Sequence, residues 1–412
     1  MIDIFSRDTI CREASSGPVD RRHSSMFPAF GLAERMTAGQ LLDVFQRSGL
    51  VGKGGANFPM YRKMTLMQRD TTPEKHLIVN GGEHEPGSAK DQYLLENYPE
   101  TVIEGALIAA SAANAKDVLI AIKESAVKAI DSMKSATDRL ALDYRSTEAG
   151  QISISHVPVP DSYLVGEETA LINVLEGSAA LPRRRPPFPI ESGFHGKPTL
   201  VHNVETVAHL PFIVAAGPDR YRSLGPGGLG VTLCTFGPEF KHAGVRLVPL
   251  GITLREVVCH YGGGLRSGHK IKAVQPGGPA AGILSELELD VVFEDQALKT
   301  AGSALGCAAI RALSVDDDIV SFVANIMNFF AEGSCGQCPP CRMETQMLSN
   351  IMMQVKARKA TGKLLDQVPI IVRNAAARPA LCGLVHMPAR PILTALEKFP
   401  DEFARYSATT SA

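Results

Sequence analysis

The chain has 412 residues, and its 42 Lys and Arg nearly balance its 43 Asp and Glu, for a formal net charge of −1 at pH 7. This balance gives no electrostatic reason to expect nucleic acid or an acidic membrane surface as a partner. The sequence has no run of about 20 apolar residues, as a membrane-spanning helix needs, and no apolar segment of a secretory signal at its start. We therefore expect a cytoplasmic protein of two to four domains without direct membrane insertion.

The N-terminal part contains an irregular region followed by a glycine-rich loop. Residues 1–35 are polar and broken by glycine and proline, which predicts a loosely held, irregular arm. Residues 52–59 read GKGGANFP. Their glycines would let the backbone approach a ligand closely, and the helical residues that follow would direct a helix N-terminus at an anion. Such a loop taken alone is equally compatible with an ordinary turn.

The next region alternates strands with helices. An apolar strand at 76–80 runs into Glu83 and Glu85, and further strands at 117–122 and 151–157 alternate with amphipathic helices. This alternation predicts a parallel sheet covered by helices. The two glutamates would then lie at the carboxyl end of a strand, where open α/β sheets bind ligands, although a solvated acidic turn is the alternative.

Two further regions follow, each with its own composition and predicted secondary structure. A Gly- and Pro-rich region with short strands predicts a small α+β domain at 226–312. The last hundred residues predict a four-helix bundle, because helical spacing recurs in four segments. These segments are 319–332, 343–359, 362–373 and 391–406.

Four cysteines carry the most specific chemical signal. Cys335, Cys338 and Cys341 are spaced three residues apart, and Cys382 follows 41 residues later. A cubic iron–sulfur cluster needs four thiolates, which a CxxCxxC turn and one distant cysteine supply. Zinc is the main alternative, but its sites usually pair two CxxC or Cys/His motifs, so the spacing favours a [4Fe–4S] cluster. The remaining cysteines are scattered and are predicted to be buried or free thiols, namely Cys11, Cys234, Cys259 and Cys307.

In this order, the motifs resemble the NADH-binding flavoprotein subunit of respiratory complex I and the related diaphorase subunits of NAD-linked hydrogenases and formate dehydrogenases. The resemblance covers nearly all of 41–406. It implies a multidomain chain with a Rossmann-like α/β FMN-binding domain at 36–225, a ubiquitin-like β-grasp α+β domain at 226–312, and an all-α four-helix bundle with the cluster at 313–412. The implied reaction passes electrons from NADH, or NADPH, through FMN and the cluster to a [2Fe–2S] or ferredoxin-like protein or subunit.

The resemblance also implies roles for individual residues. Three carboxylates would orient the ribose and carboxamide of the dinucleotide rather than donate protons: Glu83, Glu85 and Glu168. Cys335, Cys338, Cys341 and Cys382 match the cluster ligands. The residues that match contacts to FMN or the dinucleotide are Gly52, Lys53, Gly54, Gly55, Ala56, Phe58, Lys63, Asn80, Gly166, Glu167, Arg185, Phe188, His202 and Asn203.

The chain also departs from the family pattern. Loss of the aromatic ring at Leu66 would forfeit about 1 kcal/mol of stacking on adenine, so dinucleotide binding is expected to be weak or changed. The three arginines at 183–185 raise the hypothesis that NADPH is used. The other departures are Lys53 for arginine, Asn57 for glycine, Gly82 for aspartate, His84 for glycine and His202 for asparagine.

Two alternatives remain open at this point. The chain could be a scaffold or electron-transfer subunit that keeps flavin and cluster but no longer oxidises NADH. It could also resemble a subunit of the membrane-associated, ion-translocating ferredoxin oxidoreductase, but that family carries two ferredoxin-type cysteine sets and this chain has one.

Overall fold

The computed structural model describes residues 2–15, 27–143, 152–359 and 362–406. Parts of the predicted arm (1 and 16–26), of the predicted FMN-binding domain (144–151, which includes residue 151 of the third strand) and of the predicted bundle (360–361 and 407–412) lie outside the described residues. The strands are β1 (His76–Gly81), β2 (Asp117–Lys123), β3 (Ser153–Val159), β4 (Thr199–Asn203), β5 (Val231–Phe236), β6 (Gly244–Pro249), β7 (Ile271–Gln275), β8 (Leu284–Ser285) and β9 (Ala309–Ser314).

The helices fall into three groups along the chain. Those before β5 are α1 (Arg7–Ser15), α2 (Pro28–Ala33), α3 (Ala38–Ser48), α4 (Met60–Arg69), α5 (Lys90–Asn97), α6 (Pro99–Ala113), α7 (Val127–Asp143), α8 (Glu168–Leu175), α9 (Val204–Ala208), α10 (Leu210–Ala216) and α11 (Pro218–Arg222). Within the second sheet region are α12 (Leu254–Glu256) and α13 (Asp295–Thr300). The C-terminal group is α14 (Ile319–Gly333), α15 (Pro339–Lys356), α16 (Gly362–Leu365), α17 (Val368–Ala376), α18 (Ala389–Lys398) and α19 (Pro400–Ala404).

The first sheet is a four-stranded parallel sheet in the order β3-β2-β1-β4. Leu77, Ile78 and Val79 of its inner strand β1 are fully buried, as expected for a parallel sheet covered on both faces. Helix α6 packs closely against α9, which follows β4, because a Cβ atom at Gly105 would lie only 2.0 Å from the carbonyl oxygen of Val207. This arrangement confirms the predicted Rossmann-like layer.

The N-terminal region is not the irregular arm that the sequence predicted. Helices α1 and α2 bury Ile10 and Phe30 in the same core as α6. Glu104 of α6 also accepts hydrogen bonds from the backbone nitrogens of Ala29 (2.7 Å) and Phe30 (3.0 Å), which satisfies the first turn of α2. The prediction was wrong because Glu104 lies 75 residues from Ala29 in the sequence. The composition of residues 1–35 therefore gives no indication of this contact.

The second sheet is mixed, with the order β6-β5-β9-β7-β8. Strand β5 pairs in parallel with β9 at the centre, and the flanking pairs β5–β6 and β7–β8 are antiparallel. The first strand of this unit, β5, and its last strand, β9, lie side by side between the pairs β5–β6 and β7–β8. This is the ubiquitin-like β-grasp arrangement. The multidomain fold class predicted from the resemblance is therefore confirmed.

The C-terminal region is helical, with boundaries that differ from the predicted ones. Helix α15 begins at Pro339, four residues before the predicted start at 343, because proline is well tolerated in a first helical turn. The predicted third helix is divided into α16 and α17, and Pro400 starts α19 where a continuous fourth helix was expected. Among the described residues, we find no helix that is both long and apolar enough to cross a membrane.

Candidate cofactor site

A cavity of about 210 Å³ lies at the carboxyl ends of the parallel strands. This is the edge where doubly wound sheets bind ligands. We call it the main cavity. It is lined by Gly54, Asn80, Gly82, Glu83, His84, Glu85, Ser88, Lys90, Asp91, Tyr163, Leu164, Gly166, Glu167, Asn203, Cys307, Cys382, Gly383, Leu384 and Met387.

Eight of the predicted site residues therefore meet in this lining. They are Gly54, Asn80, Glu83, Glu85, Gly166, Glu167, Asn203 and Cys382. The amide of Asn80 connects two of the wall segments, because Nδ2 donates to the carbonyl oxygen of Gly166 (3.2 Å) and Oδ1 accepts from the nitrogen of Gly82 (3.0 Å). A Cβ atom at Gly54 would lie 3.3 Å from Cβ of Asn203, so the glycine is needed for this close approach.

The glycine-rich loop explains two departures from the family pattern. Asn57 has a positive φ of 51°, a conformation that asparagine tolerates better than most residues, and its Nδ2 donates to Oδ1 of Asp295 (3.0 Å). Lys53 is buried, and its Nζ donates to the carbonyl oxygen of Val231 (3.1 Å), so its ammonium group anchors the loop to β5. The side chain of Lys53 lies outside the lining of the main cavity, and its predicted contact with the cofactor stays a prediction.

Glu83 forms the turn between β1 and α5. Its Oε1 accepts from the nitrogen of Lys90 (2.9 Å), and its Oε2 accepts from the nitrogens of Asp91 (3.0 Å) and Gln92 (3.1 Å). Both oxygens therefore satisfy the exposed N–H groups of a helix start. Glu83 thus shapes the cavity wall, and its implied contact with the dinucleotide stays a prediction.

Lys90 places a buried positive charge in the cavity wall. Its Nζ lies 2.7 Å from Oδ1 of Asp91 and 3.3 Å from Oε2 of Glu205, and it donates to Oδ1 of Asn203 (3.3 Å). Burial alone lowers the pKa of Lys90, but the carboxylates of Asp91, Glu205 and Glu83 outweigh burial and raise the pKa, so the ammonium remains charged. Sequence analysis missed Lys90 and Asp91, because adjacent opposite charges at a helix start look like a solvated surface.

Glu85 and Tyr163 lie between the main cavity and the C-terminal helices. Burial raises the pKa of Glu85 to about 7, and a hydrogen bond from Tyr163 opposes this shift. The hydroxyl of Tyr163 also lies 3.2 Å from Sδ of Met387, and its ring packs edge-on against Phe329 at 4.8 Å. Cys307, expected to be an isolated thiol, lines the same part of the cavity.

Four predicted site residues form an ion-pair network beside the cavity, namely Lys63, Glu167, Glu168 and Arg185. Nζ of Lys63 lies 2.7 Å from Oε2 of Glu168, and Arg185 pairs with Glu168 at 3.2 Å and with Glu167. Glu167 lines the main cavity, which connects this network to it.

Ten predicted cofactor-binding or catalytic residues lie outside the lining, including Lys53 and the network residues Lys63, Glu168 and Arg185. Phe58 and Phe188 are 43% and 48% exposed, as stacking surfaces for a ligand would be. His202 is buried beside Lys63, and burial together with this lysine lowers its pKa to about 3. Glu168, Gly52, Gly55 and Ala56 also lie outside the lining of the main cavity.

A second, smaller cavity brings all four predicted cluster ligands together. It is lined by Leu164, Ser334, Cys335, Cys338, Cys341, Ala380, Leu381, Cys382 and Leu384, and we call it the cysteine cavity. Among the described residues, no group of three or more His, Cys, Asp or Glu side chains lies close enough together to hold a single metal ion. The thiolates of an iron–sulfur cube bind four different irons and surround the cluster, so they need not converge on one point.

Hydrogen-bond donors surround the sulfurs of the cysteine cavity. The backbone nitrogen of Leu381 donates to Sγ of Cys338 (3.3 Å), and Nε2 of Gln337 donates to Sγ of Cys335 (3.6 Å). Sγ of Cys341 lies 3.6 Å from the hydroxyl oxygen of Ser334. Such contacts stabilise thiolates and tune the reduction potential of a bound cluster.

The two cavities share part of their walls. Leu164, Cys382 and Leu384 line both of them. Leu164 belongs to the segment after β3, whereas the other two come from the segment between α17 and α18. A polar cavity at the edge of a parallel sheet and an adjoining four-thiol cavity are the arrangement expected of a redox protein with two adjacent cofactors.

Comparison with known proteins agrees with the assignment to redox proteins that hold two cofactors. Residues 45–211 match the Nuo51 FMN-binding domain, and residues 321–406 match the NADH-ubiquinone oxidoreductase-F iron-sulfur binding region. The F subunit of the NADH-quinone oxidoreductase of Aquifex aeolicus (strain VF5) is 33% identical over 386 residues, which cover 92% of this chain and 89% of the relative. The chain belongs to the family of NADH-quinone oxidoreductase F subunits.

Hydrogenase subunits are similar as well. The NADP-reducing hydrogenase subunit HndC of Solidesulfovibrio fructosivorans is 33% identical over 385 residues, covering 90% of this chain and 77% of the relative. The crystal structure of NAD⁺-reducing [NiFe]-hydrogenase in the H₂-reduced state superposes with a TM-score of 0.84 at 28% identity. This match covers 92% of the chain, which spans 64% of the hydrogenase chain.

Family membership confirms the predictions made at the level of the family. The chain is an oxidoreductase subunit that binds FMN, a [4Fe–4S] cluster and NADH, and it transfers electrons from NADH. The roles of individual residues are taken up below.

Glu344 provides a test of the bundle around the cysteine cavity. It lies one helical turn after Cys341, is 1% exposed, and neither carboxylate oxygen has a hydrogen-bond partner among the described residues. Burial raises the pKa of Glu344 from 4.5 to about 8. Because the folded-state pKa exceeds the unfolded one, this carboxyl stabilises the fold only while protonated, and its contribution is lost as pH rises from about 4.5 to about 8.

We expect Glu344→Gln to be more stable than the wild type by an amount that grows as pH rises through this window and is constant above it. Thermal unfolding midpoints between pH 5.5 and 9 (roughly the upper part of the window and just beyond it) measure the difference. Glu397→Gln, an exposed position in the same bundle, is the control and should give no such trend. A pH-independent difference for Glu344→Gln would show that the carboxyl does not titrate as burial requires.

Proposed function

We propose that this chain is itself an NADH dehydrogenase of the diaphorase type, in which Cys335, Cys338, Cys341 and Cys382 hold the cluster that receives electrons from FMN in the main cavity. The wall shared by the two cavities is the observation that carries this proposal. FMN accepts two electrons together as a hydride and releases them singly, whereas an iron–sulfur cluster accepts one electron at a time. Adjacent cavities suit this conversion because they place the two cofactors on either side of one thin wall.

The lining of the main cavity fits an anionic flavin. Lys90 and Asn203 supply a cation and an amide suited to a phosphate, and Gly54 removes side-chain bulk where the cofactor must approach the backbone. Asn80 and Gly166, which bond to each other, would hold the opposite wall against the ring. No general acid or base is needed for hydride transfer, so binding geometry carries that step.

The network beside the cavity fits the dinucleotide. Phe58 and Phe188 offer exposed rings for stacking, and Glu168 is held in place by Lys63 and Arg185. Arg183 pairs with Glu176 and donates to Asn173, so two of the three consecutive arginines are engaged with carboxylates. This supports NADH rather than NADPH as the coenzyme, and comparison of kcat/KM for the two coenzymes tests it.

Restoring an aromatic ring at position 66 should strengthen dinucleotide binding. Leu66 is 51% exposed, so a larger side chain fits without repacking the core. We expect Leu66→Phe to lower the KM for NADH about fivefold, because one aromatic stack contributes about 1 kcal/mol. Leu287→Phe, at an 85% exposed position, is the matched control and should leave KM unchanged. An unchanged KM in Leu66→Phe would place adenine elsewhere.

We propose a one-electron carrier as the partner, such as a [2Fe–2S] or ferredoxin-like protein or subunit, in the cytoplasm. The exposed surface of the cluster-bearing helices supports an acidic partner, because it carries Arg342, Arg373 and Arg378 near the cysteine segments. Positive charges on this surface attract an acidic protein and speed its association. Nothing in the near-zero net charge favours nucleic acid.

Anaerobic titration of the reconstituted chain with NADH tests the proposed function. We expect flavin absorbance to bleach and the cluster to be reduced in the same titration. Bleaching of the flavin without reduction of the cluster would contradict the electron path, and FMN binding without any reduction by NADH or NADPH would favour the scaffold alternative.

A further inference from the structure

His84 is a buried imidazole in the wall of the main cavity whose Nε2 has no hydrogen-bond partner within the part of the chain that the structure describes. Its side chain is only 8% exposed. Buried polar atoms are nearly always paired, so an orphaned nitrogen in a cofactor cavity points to a ligand that completes it. The resemblance to the family does not account for this group, because the family has glycine at this position.

The other ring nitrogen faces an anion. Nδ1 of His84 lies 3.9 Å from Oδ1 of Asp161, which is too long for a hydrogen bond but close enough to stabilise an imidazolium. Asp161 is held by Ser125, whose hydroxyl donates to Oδ1 (2.7 Å) and whose nitrogen donates to Oδ2 (3.2 Å). A proton on Nδ1 is therefore favoured, which leaves Nε2 as the acceptor that faces the cavity.

The groups around His84 act on its pKa in opposite directions. Burial lowers its pKa, Asp161 and Glu83 oppose that shift, and Lys123 at the end of β2 adds to it. Glu85 is the neighbouring titratable group in the cavity, but it is already hydrogen-bonded to Tyr163. Nε2 of His84 is thus a basic nitrogen that has no hydrogen-bond partner among the described residues.

The imidazole of His84 lies next to Gly82, which is the other departure from the family pattern in this segment. A Cβ atom at Gly82 would lie 3.4 Å from Nε2 of His84, 3.3 Å from Oδ1 of Asn80 and 3.2 Å from Cγ1 of Val165. The family has aspartate at 82 and glycine at 84, so this chain has exchanged a permanent anion for an adjacent titratable base. The two departures therefore act as one change in the chemistry of the cavity.

We propose that His84 is a catalytic base that contacts the bound flavin through Nε2 and accepts the proton released when the cofactor is reoxidised by the cluster, with Asp161 as its positioning residue. This inference rests on the proposed function. Oxidation of NADH to NAD⁺ delivers a hydride, which is one proton and two electrons. The electrons leave singly to the cluster at the cysteine cavity. The proton is taken up by Nε2, forms an imidazolium opposite Asp161, and passes to water.

The shared wall explains why a separate base is needed. Two of its three residues, Leu164 and Leu384, are apolar and offer no group that could bind a proton. Electrons cross such a wall, but a proton does not, because a charge in an apolar environment is strongly disfavoured. The proton therefore leaves on another side of the cavity, and in this proposal it leaves through His84, whose Nδ1 faces Asp161 in the exposed loop after β3.

His84→Gln tests the proposal, because glutamine keeps a hydrogen-bonding group near Nε2 but does not titrate. The full-length protein, freed of FMN and labelled at histidine Cε1, is titrated between about pH 5 and 9 with and without added FMN. We expect one imidazole resonance, absent in His84→Gln, to shift its titration when FMN binds. In the reconstituted protein, His84→Gln should slow cluster reduction by NADH by roughly 100-fold and remove its dependence on pH.

Two further variants separate a chemical role from a structural one. Asp161→Asn removes the anion and should move the titration of His84 to lower pH, while the exposed position of Asp161 spares the fold. His156→Gln is the matched control, because His156 is also partly buried, has a lowered pKa and bonds to Thr137 outside the cavity. It should leave both measurements unchanged.

The outcomes distinguish this proposal from the proposed function. The role of His84 would be overturned if the titration of its resonance were the same with and without FMN. It would also be overturned if the rate of cluster reduction depended on pH equally in His84→Gln and the wild type, even if NADH still reduces the cluster. Loss of FMN binding in the wild type would overturn both. A shift confined to His84 and moved by Asp161→Asn supports the proposal.

Discussion

Replacing Cys335 by alanine is expected to remove the iron–sulfur cluster while FMN remains bound. Cys335 lines the cysteine cavity but not the main cavity, so the substitution removes one ligand without touching the flavin wall. Loss of a direct ligand should exceed the 10–100-fold fall in affinity that follows loss of an outer-shell partner (roughly, as seen at metal sites). Iron and sulfide analysis, together with the flavin content after reconstitution, measures the two cofactors independently.

The consequence for activity follows from the electron path. NADH should still bleach the flavin in Cys335→Ala, but reduction of a one-electron protein acceptor should fall to background. Cys259→Ala is the control, because Cys259 is exposed and lies outside both cavity linings. Full retention of the cluster in Cys335→Ala would contradict the assignment of this thiol as a ligand.

Replacing Lys90 by methionine is expected to cause the largest loss of stability among single changes at the site. The substitution leaves Asp91 and Glu205, which are 3% and 0% exposed, without the cation that neutralises them. Breaking a buried ion pair on one side costs about 3–5 kcal/mol. The affinity for FMN should fall as well, because the positive charge in the cavity wall is lost.

Thermal unfolding and quenching of flavin fluorescence measure these two effects. Lys299→Met is the control, because Lys299 pairs with Asp295 at 2.6 Å on the surface and such pairs contribute about 0.3–0.5 kcal/mol. The double variant Lys90→Met/Asp91→Asn should recover part of the stability, since it removes one of the uncompensated charges. A destabilisation as small as that of Lys299→Met would mean that Asp91 and Glu205 are not held charged by Lys90.

The sequence predicted those features whose chemistry is encoded in short spacings. The CxxCxxC turn with Cys382 was sufficient to predict the cysteine cavity, and the alternation of strands and helices was sufficient to predict the parallel sheet. Asn80, Glu85 and Asn203 lie at or just after the ends of strands of that sheet, so their convergence was also predictable from topology.

The predictions that failed involve partners distant in the sequence. The first turn of α2 bonds to Glu104, 75 residues away, and the buried side chain of Lys53 bonds to the carbonyl oxygen of Val231, 178 residues further on. Lys90 was overlooked because a lysine beside an aspartate is usually solvated, and only Glu205 and Asn203 reveal that it is buried. His84 was noted only as a departure, because the orphaned state of Nε2 is a property of the assembled cavity.

The wall that the two cavities share constrains how the protein can vary. A single short segment supplies Cys382 and Leu384 to both cavities, so under the proposed function it would ligate one cofactor and enclose the other. Any substitution there changes the polarity felt by both redox centres at once. The reduction potentials of the two centres are therefore coupled through this segment, and adaptation to a new acceptor must adjust them together or arise elsewhere in the chain.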